Sequence, residues 1–102
     1  MQILRSESSV ERACRRYAEG LGCKLIKIAG VKGFPDRMLL TPTGGHMFLE
    51  FKREGEELKP IQKFWQAELR AMRHRSEEVD NMLLFKALLQ SPGLLQSIKS
   101  GA

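Results

Sequence analysis

The sequence predicts an α/β domain in which helices cover a β-sheet, with elements in the order α-β-β-β-α-β-α. Three observations support this fold class. Segments with helical period and segments with strand period alternate along the chain. A central hairpin carries apolar residues on both faces of each strand, which is typical of a sheet covered on both sides. The length of 102 residues suits one core and is too short for two, so we expect a single domain over residues 1–102.

The first three elements follow from periodicity and glycines. Apolar residues recur at helical spacing at Val10, Ala13, Cys14, Tyr17 and Leu21. They predict a helix from about Ser9 to Leu21 that ends at Gly20 to Gly22. Residues 23–29, "CKLIKIA", alternate as a strand does, and residues 30–35 form a loop.

A hairpin and a second helix come next. We expect strands at residues 36–41 and 46–52, joined by the turn "TPTGG" at 41–45. Pro60 suits the first turn of a helix. The apolar stripe of that helix is Ile61, Phe64, Trp65, Leu69 and Met72.

The C-terminal region is harder to interpret. Periodicity alone allows strand or helix for residues 79–89, "VDNMLLFKALL". We favour a strand there, followed by a short helix over residues 91–100, because Ser91 and Pro92 form a good helix start.

Charge and cysteine usage narrow the class of protein. The net charge is +5 and the pI is about 9.6, which is compatible with a polyanionic partner. Cys14 and Cys23 lack a metal-binding spacing and are expected to be buried thiols. The N-terminus has no signal-peptide pattern and no segment is long and apolar enough to span a membrane. We therefore expect a soluble, cytoplasmic protein.

The second hairpin strand carries an unusual pair of charges, Glu50 and Lys52. Side chains alternate along a strand, so these two lie on one face about 7 Å apart. A turn over residues 41–45 would pair Leu40 with His46 and place Asp36 opposite Glu50. A slip of one residue would turn Asp36 to the other face. The first register gathers two carboxylates and one ammonium at one end of the sheet.

Such a cluster fits metal-assisted phosphodiester hydrolysis. Adjacent carboxylates repel each other unless a cation lies between them. Oxygen ligands suit Mg²⁺ or Mn²⁺, and the Phe51 carbonyl could join Asp36 and Glu50 in the ligand set. Lys52 could position the nucleophile or offset charge in the transition state. The alternative is a simple ion pair between Glu50 and Lys52 at an exposed sheet end.

The segments "GFPDRMLL" and "GGHMFLEFKREGEELKPIQKFW" closely resemble the VRR-NUC (virus-type replication-repair nuclease) family of the PD-(D/E)xK nuclease superfamily. The resemblance covers roughly residues 8 to 75 and is similar to the stand-alone phage and bacterial members. It implies a restriction-endonuclease-like core with a mixed sheet flanked by helices. It also implies that Asp36, Glu50 and the Phe51 carbonyl bind metal, that Lys52 is the catalytic lysine, and that Gln62 reaches the site.

Two further assignments accompany the resemblance. Glu11 matches an acidic residue on the family's first helix, which implies a direct or water-mediated metal contact. It also fits a capping box with Ser8, in which its carboxylate would bond back to the helix start. Lys32 and Arg53 flank the motif and are the expected DNA-binding residues. His46 and His74 have no partner at metal-ligand spacing, so no role is assigned to them.

The resemblance implies a Mg²⁺- or Mn²⁺-dependent endodeoxyribonuclease that cuts branched DNA in the manner of a Holliday-junction resolvase, as a homodimer. A second hypothesis is a non-catalytic DNA-binding module that uses only the basic surface of the same fold. A third is a small interaction subunit with an incidental basic pI. Metal dependence separates the first from the second, and salt-sensitive DNA affinity separates both from the third.

Overall fold

The computed structural model describes residues 7–90 as a four-stranded sheet with three helices. The elements are α1 (Glu7–Gly20), β1 (Lys24–Lys27), β2 (Arg37–Leu40), β3 (His46–Phe51), α2 (Pro60–Ala71), β4 (Ser76–Val79) and α3 (Met82–Leu89). This order of helices and strands is the predicted one. The helix expected over residues 91–100 lies outside the described residues.

The sheet is mixed, with strand order β1-β2-β3-β4. β1 to β3 form an antiparallel meander, and β4 returns through α2 to pair with β3 in parallel. A parallel pair needs a crossover of this kind, since a hairpin turn would reverse the strand direction. β3 therefore lies inside the sheet, and its residues are held from both sides.

The two faces of the sheet bury different kinds of side chain. One face packs on α1 and α3 through an aliphatic and aromatic core: Val10, Cys14, Leu39, Met47, Leu49, Phe51, Phe85 and Leu89. On the other face, Phe34 lies between Phe48 of β3 and Trp65 of α2, with ring centroids 5.4 and 5.2 Å apart. The expected covering on both sides is confirmed at β3. On β1 and β2 the same face leaves Ile26 and Leu40 42% and 38% exposed.

The hairpin register is fixed by the turn after β2. The Thr41 N–H donates to the Gly45 carbonyl at 2.9 Å, and the Thr41 hydroxyl accepts from the Gly45 N–H, also at 2.9 Å. Thr41 is buried, so these bonds are shielded from competing water. The predicted turn over residues 41–45 and the predicted pairing of Leu40 with His46 are confirmed.

Helix α2 holds the loop that leads into β2. The Trp65 Nε1–H donates to the Lys32 carbonyl at 3.1 Å. Gly33 has φ +79, and a Cβ at this position would lie 2.4 Å from Cγ1 of Ile61. Only glycine allows this backbone conformation and this close approach together. The loop and the start of α2 therefore pack as one unit.

The expected strand over residues 79–89 is wrong, because that segment is mostly α3. The Asn81 side chain accepts from the Leu84 N–H at 2.8 Å and caps the helix. Leucine, methionine, alanine and lysine favour helix over strand, and the apolar run reflects burial of Phe85 and Leu89. The last strand lies earlier, at Ser76–Val79, where pairing with β3 outweighs the low strand propensity of two glutamates.

Both cysteines are buried free thiols, as expected. Burial, with a further contribution from the Glu11 carboxylate, raises the pKa of the Cys14 thiol to about 12. Burial also raises the pKa of Cys23. No helix in the described part of the chain has the length and apolar character needed to cross a membrane.

Replacing Gly33 with alanine should destabilise the protein by about 2–4 kcal/mol, because it adds backbone strain and a clash with Ile61. Gly30→Ala is the matched control. Gly30 also has a positive φ, of +107, but a Cβ there meets nothing within 4 Å. Urea denaturation of both variants gives the loss of stability in each. Both variants carry the cost of backbone strain, and only Gly33→Ala also carries the cost of the clash with Ile61. Equal losses would contradict the packing role of Gly33.

Candidate active site

The hairpin brings Asp36 and Glu50 to the same end of the sheet. Arg37 pairs with Leu49 at the end of the β2–β3 ladder, so the next step outward aligns Asp36 with Glu50. Glu50 is half-buried, and Lys52, on the same face by alternation, is only 5% exposed. The predicted grouping of two carboxylates and one ammonium is thus compatible with the observed register.

Asp36 has the environment of a cation ligand. Its Oδ1 is buried and has no hydrogen-bond partner within the described part of the chain. Burial raises the pKa of Asp36, and the Glu11 carboxylate adds to this, while Arg37 and Lys27 oppose it. A buried oxygen without a partner is costly unless something outside the protein satisfies it. A bound metal ion would do so.

The backbone directs the Phe51 carbonyl to the β2 side of the sheet. The Phe48 N–H donates to the carbonyl of Arg75, just before β4, at 2.8 Å, and the Lys52 N–H donates to the carbonyl of Val79 in β4 at 2.9 Å. Because backbone groups alternate in direction along a strand, Phe51 between them directs its carbonyl to the β2 side. Continued past Arg37, the register aligns Phe51 with Pro35, which has no N–H to donate. The proline therefore leaves this carbonyl open to another ligand.

Together these oxygens fit Mg²⁺ or Mn²⁺ better than a softer metal. The donor set is two carboxylates and one carbonyl, with water to complete the coordination. No group of three or more histidine, cysteine, aspartate or glutamate side chains in residues 7–90 is arranged to hold a metal. A metal contact of Glu11, direct or through water, stays a prediction.

Glu11 is instead held by arginines. Its carboxylate lies 2.9 Å from Nη2 of Arg37 and 3.4 Å from Nη2 of Arg15. Ser8 lies in the first turn of α1, which includes Glu7, and the capping box with Ser8 stays a prediction. The structure thus places Glu11 near Asp36 but engaged with cations.

Gln62 has a structural partner. Its Oε1 accepts from the Lys59 N–H at 2.7 Å, which caps the first turn of α2. A free helix start leaves several N–H groups unsatisfied, so this bond stabilises α2 locally. A role for Gln62 at the site stays a prediction.

The two expected DNA-binding cations are both exposed. Lys32 lies in the loop before Asp36, where Trp65 bonds its carbonyl. Arg53 follows β3, and its N–H donates to Oε1 of Glu56 at 3.1 Å. Both flank the Asp36 and Glu50 positions, which is compatible with the predicted role.

Sequence reasoning missed a second acidic residue beside Glu50. Glu78 pairs with Glu50 across the β3–β4 ladder. Beside it opens a cavity of about 420 Å³ lined also by Glu56, Glu57, Asp80 and Lys63, among others. Glu78 belongs to the segment "RSEEV". Its place beside Glu50 could have been predicted only by assigning β4 to that segment. The carboxylates make this flank unfavourable for phosphate groups.

The fold also brings the two histidines together. The rings of His46 and His74 lie 5.6 Å apart by centroid, and both contact the Phe48 ring. They lie at the start of β3, whereas Glu50 lies near its end. The pair therefore belongs to the aromatic packing under α2 and does not contribute to the carboxylate cluster.

Comparison with known proteins identifies the architecture. No protein-family model and no curated protein matches the chain. A solved structure described as a VRR_NUC domain aligns with a TM-score of 0.77 over 86% of this chain and 99% of that chain, at 22% sequence identity. The chain has the VRR_NUC fold. The fold class expected from the sequence resemblance is thereby confirmed, and the roles of individual residues rest on the geometry above.

Asp36→Asn should change the pH dependence of stability in metal-free buffer. The pKa of Asp36 is raised above its ordinary value of 3.8, so its favourable contribution is complete below that pH and is lost as pH rises through the folded-state pKa. The asparagine variant should therefore gain stability over the wild type as pH rises toward 7. Urea denaturation at several pH values measures this. A difference that grows toward acid would contradict it.

Proposed function

We propose that this protein is a metal-dependent DNA endonuclease of the VRR-NUC family. The observation that carries the proposal is the buried, unpartnered Oδ1 of Asp36, aligned with Glu50 at the end of a hairpin in the VRR_NUC fold. A carboxylate desolvated in this way, beside another carboxylate, suits a divalent cation. Phosphodiester hydrolysis is the chemistry that such an ion and a neighbouring lysine support.

Asp36, Glu50 and the Phe51 carbonyl would hold the ion. When bound, Mg²⁺ or Mn²⁺ would supply polarisation of the scissile phosphate and neutralisation of its charge. The protein contributes a fixed set of oxygens. Asp36 is placed by the loop under α2, while Glu50 and Phe51 are fixed within the central strand. Preorganised ligands need no rearrangement as the reaction proceeds.

Lys52 would act on the reacting groups directly. Its backbone N–H bonds Val79 at 2.9 Å, and its side chain is 5% exposed, so the ammonium has little freedom. A confined ammonium offers N–H donors and a positive charge at one place. We assign it to orienting the attacking water or stabilising the charged phosphate in the transition state.

The proposed substrate is branched DNA, including four-way junctions. The excess of 17 lysines and arginines over 12 acidic residues favours attraction to phosphates. The acidic cavity beside Glu78 disfavours phosphates on the β4 flank. The DNA would therefore run past Lys32 and meet only the edge of that cavity at Arg53, whose N–H bonds Glu56 of the cavity lining. A cytoplasmic location, in a bacterium or a phage-infected cell, is part of the same proposal.

A homodimer would place two such sites on one junction. The surface we assign to pairing is the open apolar face, defined as Ile26, Leu40, Ile61, Phe64 and Met72, which are 38–59% exposed. Ile26 and Leu40 lie on the side of the sheet that faces α2. Exposed apolar side chains of this kind are what a protein contact would cover.

Asp36→Asn and Lys52→Met should each reduce cleavage by about 10²- to 10³-fold, because the first removes a proposed metal ligand and the second removes an ammonium that acts on the reacting groups. The measurement uses labelled four-way junction, flap and linear duplex with Mn²⁺, Mg²⁺ or EDTA. Paired nicks on the junction that require metal would support a resolvase-like nuclease.

Glu68→Gln and Lys86→Met are the matched controls, since both residues are exposed and neither belongs to the site. Both should cut as the wild type does. Cleavage by Asp36→Asn at the wild-type rate would overturn the site. Salt-sensitive DNA binding without cleavage would instead identify a non-catalytic binding module.

Phe64→Glu should shift the protein from dimer to monomer in sedimentation velocity, because a charge in an apolar interface is left desolvated. Leu83→Glu is the control, since Leu83 is 81% exposed but lies on α3. Loss of the dimer in both variants, or in neither, would contradict the assigned surface.

A further inference from the structure

We propose that Glu11 is a positioning residue that acts through Arg37 on the backbone of Asp36. It does not bind the metal itself. This inference rests on the proposed metal site and assigns a different task to the acidic residue of α1 from the one its sequence position suggests.

The contacts form a chain from α1 to Asp36. The Glu11 carboxylate accepts from Nη2 of Arg37 at 2.9 Å. Nη1 of the same guanidinium donates to the Asp36 carbonyl at 3.0 Å. Side-chain exposure is 16% for Glu11 and 13% for Arg37, so water competes weakly for these bonds. One arginine thus connects the helix to the peptide that carries the proposed ligand.

Glu11 meets Arg37 on the face of the sheet opposite to that of Glu50 and Lys52. Arg37 pairs with Leu49, which belongs to the core shared with α1. Glu50 and Lys52 alternate with Leu49 along the strand and lie on the opposite face. Glu11 therefore approaches the sheet from the side that Arg37 occupies.

Arg15 anchors the other end of the arrangement. It lies one turn after Glu11, and its Nη1 donates to the Leu25 carbonyl of β1 at 2.9 Å. Its Nη2 lies 3.4 Å from Glu11. The carboxylate is therefore held between two guanidinium groups, each bonded to backbone next to or within a strand. A residue tied in this way cannot swing to a metal without breaking both contacts.

The guanidinium of Arg37 leaves one buried N–H donor unsatisfied, and this desolvation cost favours a functional explanation. Its Nε is buried and has no hydrogen-bond partner in residues 7–90. Buried unpaired donors are uncommon and call for a reason. Here the guanidinium is oriented for its two other bonds, to Glu11 and to the Asp36 carbonyl. Lysine cannot make both bonds with the same geometry, because it lacks the planar fork.

The test is a double-mutant cycle read by Mn²⁺ affinity, measured by EPR of free Mn²⁺ without DNA. Glu11→Gln and Arg37→Lys should each weaken Mn²⁺ binding by about 10- to 100-fold, as loss of a group that orients a ligand does. The double variant should bind no more weakly than either single variant, because both changes break one chain of contacts. Circular dichroism checks that each variant is folded.

The ion pair of Arg70 and Glu77 provides the matched control. It also joins a helix to a strand, at 3.0 Å, but lies on the edge at β4. Glu77→Gln should leave Mn²⁺ affinity unchanged. Weakening by Glu11→Gln alone, with Arg37→Lys at wild-type affinity, would show that Glu11 is a ligand and overturn the proposal. Additive losses in the double variant would also overturn it.

A metal-free measurement separates this inference from the proposed function. The Asp36 carbonyl ¹³C resonance should move in both Glu11→Gln and Arg37→Lys, and remain in place in Glu77→Gln. If Asp36→Asn bound Mn²⁺ as the wild type does, the proposed metal site would fail, while the carbonyl shifts would still decide whether Glu11 acts through Arg37. An unmoved resonance in Glu11→Gln would refute the contact chain.

Discussion

The register of the β2–β3 hairpin is the constraint on which the candidate site depends. The buried Thr41 hydroxyl and backbone close the turn onto Gly45, and this fixes every pair that follows along the ladder. A shift by one residue would exchange the faces of all side chains on β2. Asp36 would then leave Glu50, and Arg37 would leave α1. One turn therefore determines both the ligand cluster and the contact chain behind it.

Asp36 lies just outside regular structure. A metal ligand there still needs a defined position. Packing from two sides meets this requirement. α2 holds the preceding loop through Trp65 and the close approach at Gly33. From the other side, Arg37 bonds the Asp36 carbonyl. The proposed ligand is thus placed by tertiary contacts, which is the usual way that binding groups on loops are held.

The parts predicted from sequence were those that local patterns determine. The hairpin, its register and the start of α2 at Pro60 depend on turn residues and periodicity within a few positions. β4 could not be predicted in the same way, because "SEEV" becomes a strand only by pairing with β3, which is distant in sequence. The apolar run after it was mistaken for a strand since a buried helix and a buried strand look alike in composition.

The engagement of Glu11 was also beyond local reasoning. Its position on α1 is visible in the sequence, but its partner Arg37 is 26 residues away. A motif can indicate that a carboxylate lies near a site, but it does not indicate which cationic group that carboxylate binds. By contrast, the burial of Cys14 and Cys23 followed directly from their place in apolar segments.

Trp65 gives the molecule a built-in optical reporter. It is the only tryptophan in the sequence, and its indole N–H is bonded to the carbonyl of Lys32 in the loop before Asp36. Indole emission responds to hydrogen bonding and to nearby solvent. Changes in how that loop sits on α2 would therefore alter the intrinsic fluorescence of the unlabelled protein, and the seating of the loop can be followed in real time.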